Sequence, residues 1–274
     1  MITSRNLIFT LFVLGALYVL AVQQFFKHEN RFLFQTEKYS EKLESIKDGN
    51  FHELELPINQ DVNLYGQWYK QEKTKGLVLL FPDADFNFRS NIQDSYYFLN
   101  EFDILIPAYR STFKSRGKPE TEEEDLYSDG LHWYNFVRSQ FPEEQIIIVG
   151  QGFGASIAGF VAGNKPAALL LLESPYLAFG EYIAKKKFWW LPYNYFTRFP
   201  LKTWENIRKA RFKMAIIIEN SSNDGSEIWF NYLKSNDIIK NATNKKGIPF
   251  SQNRENDLVF DFVFKSINPG TASD

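Results

Sequence analysis

The stretch Ile146-Ile147-Ile148-Val149-Gly150-Gln151-Gly152-Phe153-Gly154-Ala155-Ser156-Ile157-Ala158 constrains this chain more than any other. Its four leading β-branched residues make a short strand of the kind buried on both faces. Glycines at positions 150, 152 and 154 then impose a tight turn, and small residues from 155 to 162 give a helix face that packs at short range. Strand, glycine turn and helix is the frame of the G-x-S-x-G elbow, which presents a serine at the apex of the turn. The apex here is Gly152, so the frame is present without a nucleophile.

Apolar runs and helix signals alternate around this stretch. Residues 77–81, 103–108, 167–173 and 214–218 read as buried strands, and helices are expected at 89–100, from 121 to about 140, and at 257–265. Such alternation implies parallel βαβ crossovers, hence an α/β fold with a mostly parallel twisted sheet flanked by helices. Residues 51–58 and 62–69 alternate polar and apolar side chains around Asn59-Gln60-Asp61, as in an antiparallel hairpin at a sheet edge. Thr121 with Glu124 forms a capping box. The acidic run Glu122-Glu123-Glu124-Asp125 is expected as a solvated first turn at the positive end of the helix dipole.

Residues 7–26 carry no charge and suffice as a helix to span a hydrocarbon core of ~30 Å. The expected organisation is an N-terminal membrane anchor at 1–27, a connector at 28–50 that docks by Phe32-Leu33-Phe34, and one domain over 51–274. A cleaved signal peptide, with Val19 and Ala21 as the cleavage pair, is the rival reading. The aromatic flank Phe25-Phe26 suits a membrane interface and favours an uncleaved anchor. Arg5 and Lys27 flank the run at both ends and set no orientation. A net charge of −2 lacks the basic footprint that binds a phosphate backbone, so no nucleic acid is expected. A chain without cysteine has no disulfide, thiolate metal site or cysteine nucleophile.

The run Ala108-Tyr109-Arg110-Ser111-Thr112-Phe113-Lys114-Ser115-Arg116-Gly117-Lys118-Pro119 resembles the D-Y-R-G-Y-G-x-S-x-G-x-P loop of the α/β-hydrolase superfamily, in its membrane-anchored, serine-hydrolase-like branch. Tyr109, Arg110, Ser115, Gly117 and Pro119 match, and Asp129 fits the helix that follows. The resemblance runs from about Arg31 to the C-terminal helix and implies the α/β-hydrolase fold with an aromatic-rich lid insertion at about 176–206. It puts the family's serine at Gly152 and its acid at Asn223, with Asp224 beside it. Its histidine falls at Glu255, within Asn253-Arg254-Glu255-Asn256-Asp257. Its oxyanion-loop positions fall at Ala84 and Phe153. Asp83, Asp85, Tyr109 and Glu219 become pocket candidates, with Asp83 and Asp85 placing negative charge where a developing oxyanion needs positive potential.

The histidines are His28, His52 and His132, and none lies in the last half, where an elbow enzyme keeps its base. The expectation is therefore a membrane-anchored pseudoenzyme of binding or scaffolding role. One alternative is an ester, thioester or amide hydrolase with Ser156 as displaced nucleophile. That residue lies one helical turn past the apex, roughly 6 Å along the axis, and reads also as a small packing residue. Another alternative is a membrane-proximal lipid-binding domain. No cofactor is expected, and no metal: the run from Asp83 to Asp94 lacks the glycine and the final glutamate of a calcium loop. Glu219, Asp224 and Glu255 would bind a cation only if folding gathered them. Residues 176–204 hold eleven aromatics with Lys185-Lys186-Lys187, Arg198 and Lys202. They read as a lid over the sheet end, or as a patch that meets lipid or a membrane protein.

Overall fold

Among the described residues the apolar runs form the centre of a seven-stranded sheet of order β1-β2-β4-β3-β5-β6-β7. The strands are β1 (Phe51–Pro57), β2 (Asn63–Tyr69), β3 (Leu77–Phe81), β4 (Asp103–Pro107), β5 (Ile146–Gln151), β6 (Leu169–Glu173) and β7 (Met214–Ile217). The computed structural model describes residues 4–29, 33, 51–84, 101–117, 122–186, 188–212 and 214–217. The expected hairpin pairs β1 with β2 from Phe51↔Tyr69 to Pro57↔Asn63, and β2 joins β4 antiparallel. From β4 to β7 every pairing is parallel. The expected helices at 89–100 and 257–265 lie outside the described residues.

Strands β3, β5 and β6 are buried on both faces, which is why they read as continuous apolar runs rather than alternating ones. Val78, Leu80, Ile147, Val149 and Leu171 form one core with Tyr65 and Tyr69. Leu79, Phe81, Ile148, Leu170 and Leu172 face the other way, into the larger core. Helices α2 (Glu123–Arg138) and α3 (Gly154–Asn164) contribute to it. Leu33 of the expected docking patch is buried in that core as well, whereas Phe32 and Phe34 lie outside the described residues. Gly150 lets α3 approach its strand: a Cβ there would stand 2.6 Å from both Ala155 Cα and Ala158 Cβ.

Two expectations about α2 are corrected. Its cap is Glu122, one residue later than Thr121, with the Glu122 N–H donating to Asp125 Oδ2 at 3.2 Å. The acidic first turn is solvated only in part: Glu122 and Glu124 are exposed, whereas Glu123 and Asp125 are tied down. Asp125 Oδ1 accepts from Arg110 Nη1 at 2.7 Å, and the Glu123 carboxylate accepts the Leu201 N–H. Burial pushes the Glu123 carboxyl above its usual range. The turn is covered because the loop after β4 and the segment after β6 both pack over it.

The residues carrying the sequence resemblance hold that loop. Tyr109 donates its hydroxyl proton to the Pro82 carbonyl, and Ser115 Oγ donates to Ala108 O at 2.9 Å while accepting the Tyr65 N–H at 2.8 Å. Arg110 forks onto Asp129, Nε to Oδ2 at 3.0 Å and Nη2 to Oδ1 at 2.6 Å. Burial raises the Asp129 carboxyl despite the opposing pull of the guanidinium.

Helix α1 (Ser4–Lys27) is long and apolar enough to cross a membrane, with mean hydropathy 1.9 over Ile8–Lys27. Between β6 and β7 the chain makes three short helices, α4 (Phe179–Lys186), α5 (Tyr193–Phe196) and α6 (Thr203–Ile207). The end of α1 packs on this β6–β7 segment. Phe25 meets Phe188 at 4.7 Å between ring centroids, and Phe26 meets Tyr193 and Phe196, each at 5.8 Å. Glu29, just beyond the helix, is fully buried: Oε1 accepts from Thr197 Oγ1 at 2.6 Å and Oε2 from the Arg198 N–H at 3.0 Å.

Arg110→Ala should cost about 3–5 kcal/mol, because it leaves the buried Asp129 carboxylate without its cation. Denaturant unfolding of the two proteins at matched m-value measures this, and a loss below 1 kcal/mol would show that solvent compensates the charge.

Candidate functional site

From β3 the chain moves on to β4 at one flank and from β5 it moves on to β6 at the other, so the carboxyl ends of the adjacent strands β3 and β5 form a topological switch point. Open α/β sheets bind ligands in the crevice at such a point. Strand β5 ends there in the glycine turn. Gly152 has φ +48°, its N–H donates to Glu173 O at 2.9 Å, and its carbonyl accepts the Ala155 N–H at 3.2 Å. Phe153 follows as the N-cap of α3, with its side chain fully buried against Tyr109 at 5.2 Å and Phe179 at 5.0 Å.

Opposite the turn, β3 ends in Pro82-Asp83-Ala84. Asp83 Oδ1 accepts two backbone protons, from the Ala84 N–H at 2.8 Å and from the Phe153 N–H at 2.9 Å. The Phe153 donor belongs to the N-terminal turn of α3, where the helix dipole favours an anion. These two amides, one after the glycine apex and one in the β3 exit loop, belong to the residues at which the sequence resemblance puts the oxyanion-loop positions. In this chain an internal carboxylate sits on both. Asp83 also fixes the apex residue. A Cβ on Gly152 would stand 2.5 Å from Asp83 Cγ and 2.7 Å from Oδ1, in a left-handed conformation that side chains rarely adopt. The negative charge reaches Tyr109, whose phenol is raised well above its ordinary pKa, first by burial and then by Asp83.

Ser156 is brought into different company. It lies on α3 with 1% of its surface exposed, and Oγ donates to Leu201 O at 2.8 Å while sharing a 2.6 Å hydrogen bond with Thr203 Oγ1. Both partners are in the β6–β7 segment and neither is a base. His28 follows α1, His52 is in β1 and His132 is in α2. Asp85, Glu219, Asn223, Asp224 and Glu255 lie outside the described residues. Among the described residues no group of three His, Asp or Glu side chains could hold a metal ion.

The sequence analysis missed the pair Gln151–Glu173. Nε2 of Gln151 donates to Glu173 Oε2 at 2.8 Å beside the turn, and Glu173 is 8% exposed. The two residues are in register at the carboxyl ends of β5 and β6. The available signal was positional: a glutamate that closes an otherwise apolar strand points to a polar partner.

No family model matches the sequence, and no curated protein sequence matches it. Solved structures do. An alpha-beta hydrolase from Vibrio vulnificus superposes with TM-score 0.65 at 15% identity, covering 81% of this chain and 83% of that one. DcsB, solved in complex with its substrate analogue, gives 0.60 at 12% identity, with 80% and 99% covered. Acetyl xylan esterase 1 from Thermoanaerobacterium sp. gives 0.58 at 12%, with 79% and 83% covered. The chain has the α/β-hydrolase fold.

Gly152→Ala should destabilise by about 2–4 kcal/mol, the sum of left-handed backbone strain and overpacking against Asp83. Asp83→Ala should cost about 1 kcal/mol as a lost helix-terminal acceptor. The double variant should lose less than the sum, because the overpacking is gone. Strict additivity in denaturant unfolding would break the proposed coupling.

Proposed function

We propose that this protein is a membrane-tethered α/β-hydrolase-fold module that performs no hydrolysis and acts by binding or scaffolding. The observation that carries this reading is the Asp83 carboxylate on the Ala84 and Phe153 amides. An oxyanion hole works because its donors point at empty space where charge develops during reaction. Donors already bonded to a fixed anion gain nothing in the transition state, and a second anion beside the first is repelled. Losing one such donor lowers turnover by about 10²–10³, and here both are engaged.

Nucleophile and base point the same way. Gly152 offers no attacking atom, and loss of a triad serine or histidine costs about 10⁶ in rate. Ser156 is held between Leu201 and Thr203 without an imidazole to take its proton. A Gly152→Ser change alone would push a side chain into Asp83. The apolar helix α1 supports a tether that holds the domain at a membrane by residues 7–26.

The wild-type chain should neither label with a fluorophosphonate probe nor hydrolyse p-nitrophenyl acetate. Gly152→Ser should remain unlabelled and be less stable. The pair Asp83→Gly with Gly152→Ser should regain stability without turnover, for want of a base. Wild-type labelling abolished by Ser156→Ala would overturn the proposal in favour of a displaced nucleophile.

A further inference from the structure

The segment 188–196 reads Phe-Trp-Trp-Leu-Pro-Tyr-Asn-Tyr-Phe, with six aromatics and no charge. An uncharged aromatic run in a soluble domain is normally buried, and half of this one is not. Phe188, Leu191 and Tyr193 pack against the core, while Trp189 is 80% exposed, Trp190 51%, Tyr195 87% and Phe196 60%. The sequence thus alternates between residues that hold the segment to the domain and large apolar residues turned outward.

Where this face stands is set by α1. Phe25 and Phe26 pack on Phe188, Tyr193 and Phe196, and Tyr18 donates its hydroxyl proton to the Trp190 carbonyl at 3.2 Å. Tyr18 precedes Lys27 by nine residues, about 13 Å along a helix axis. It therefore lies well inside the apolar stretch Ile8–Lys27. A backbone group bonded to Tyr18 from the side shares its level, so while α1 spans a bilayer, Trp190 cannot stand in bulk water.

We propose that residues 188–196 form a shoulder that enters the same leaflet as the C-terminal half of α1, with Trp189, Trp190, Tyr195 and Phe196 against lipid. The occupant of this face is thus the bilayer. Tryptophan and tyrosine suit that depth, because an apolar ring body carries a polar atom that reaches the headgroups. The shoulder continues through α4 to Phe179, which packs on Phe153 beside the glycine turn. The crevice end of the sheet is held on the membrane side as a result. The inference rests on the reading of α1 as a membrane tether.

The test uses the full chain reconstituted into phosphatidylcholine vesicles with brominated acyl chains, read by flotation and by tryptophan fluorescence. Wild type should float and be quenched. Trp189→Phe with Trp190→Phe should float equally and lose most of the quenching, and adding Phe196→Trp to that pair should restore it. Floating protein whose quenching is the same with and without Trp189 and Trp190, or is absent, overturns the shoulder and leaves the tether intact. Protein that does not float overturns both.

Discussion

One carboxylate organises the crevice end of this sheet. Asp83 leaves β3 and reaches across to the first turn of α3, where its Oδ1 accepts from the Phe153 N–H as well as from the N–H of neighbouring Ala84. Buried amides need an acceptor, and a helix N-terminus prefers an anionic one. With Asp83 in place, a Cβ on Gly152 would stand 2.5 Å from its Cγ in a left-handed backbone, which favours glycine there. The aspartate and the glycine are one solution, in which each explains the other.

A second layer of order comes from the loop after β4. Tyr109 secures the β3 exit at Pro82, Ser115 ties the loop to β2, and Arg110 binds it to α2 through Asp129. These are the residues that carry the sequence resemblance. Each of them supports the fold directly through these bonds.

How much of this was legible in the sequence follows from the range of the interactions. Strands β3, β5 and β6 announce themselves because a doubly buried strand must be apolar along its whole length. The β1–β2 hairpin is likewise visible in its alternation. The cap of α2 was misplaced by one residue, since Thr121 and Glu122 both offer an acceptor and the choice is made by Arg110 pulling Asp125 into place. The charge of Asp83 could be placed beside the glycine turn from the sequence, but its bond to the Phe153 N–H spans 70 residues, which no local pattern encodes. Ser156 is buried, and its partners, Leu201 and Thr203, could not be read from spacing. Glu29 was assigned to a polar connector and proves fully buried.

That glutamate changes the mechanical character of the chain. A helix joined to its domain only by covalent linkage can swivel, and the domain beyond it samples all headings. Here Glu29 is gripped by Thr197 and Arg198 while Phe25 and Phe26 wedge between the rings of the β6–β7 segment. Helix and segment form a bracket. Helix α1 is therefore held to its domain by side chains as well as by the chain, and Phe179 of the same β6–β7 segment lies on the ring of Phe153 beside the glycine turn.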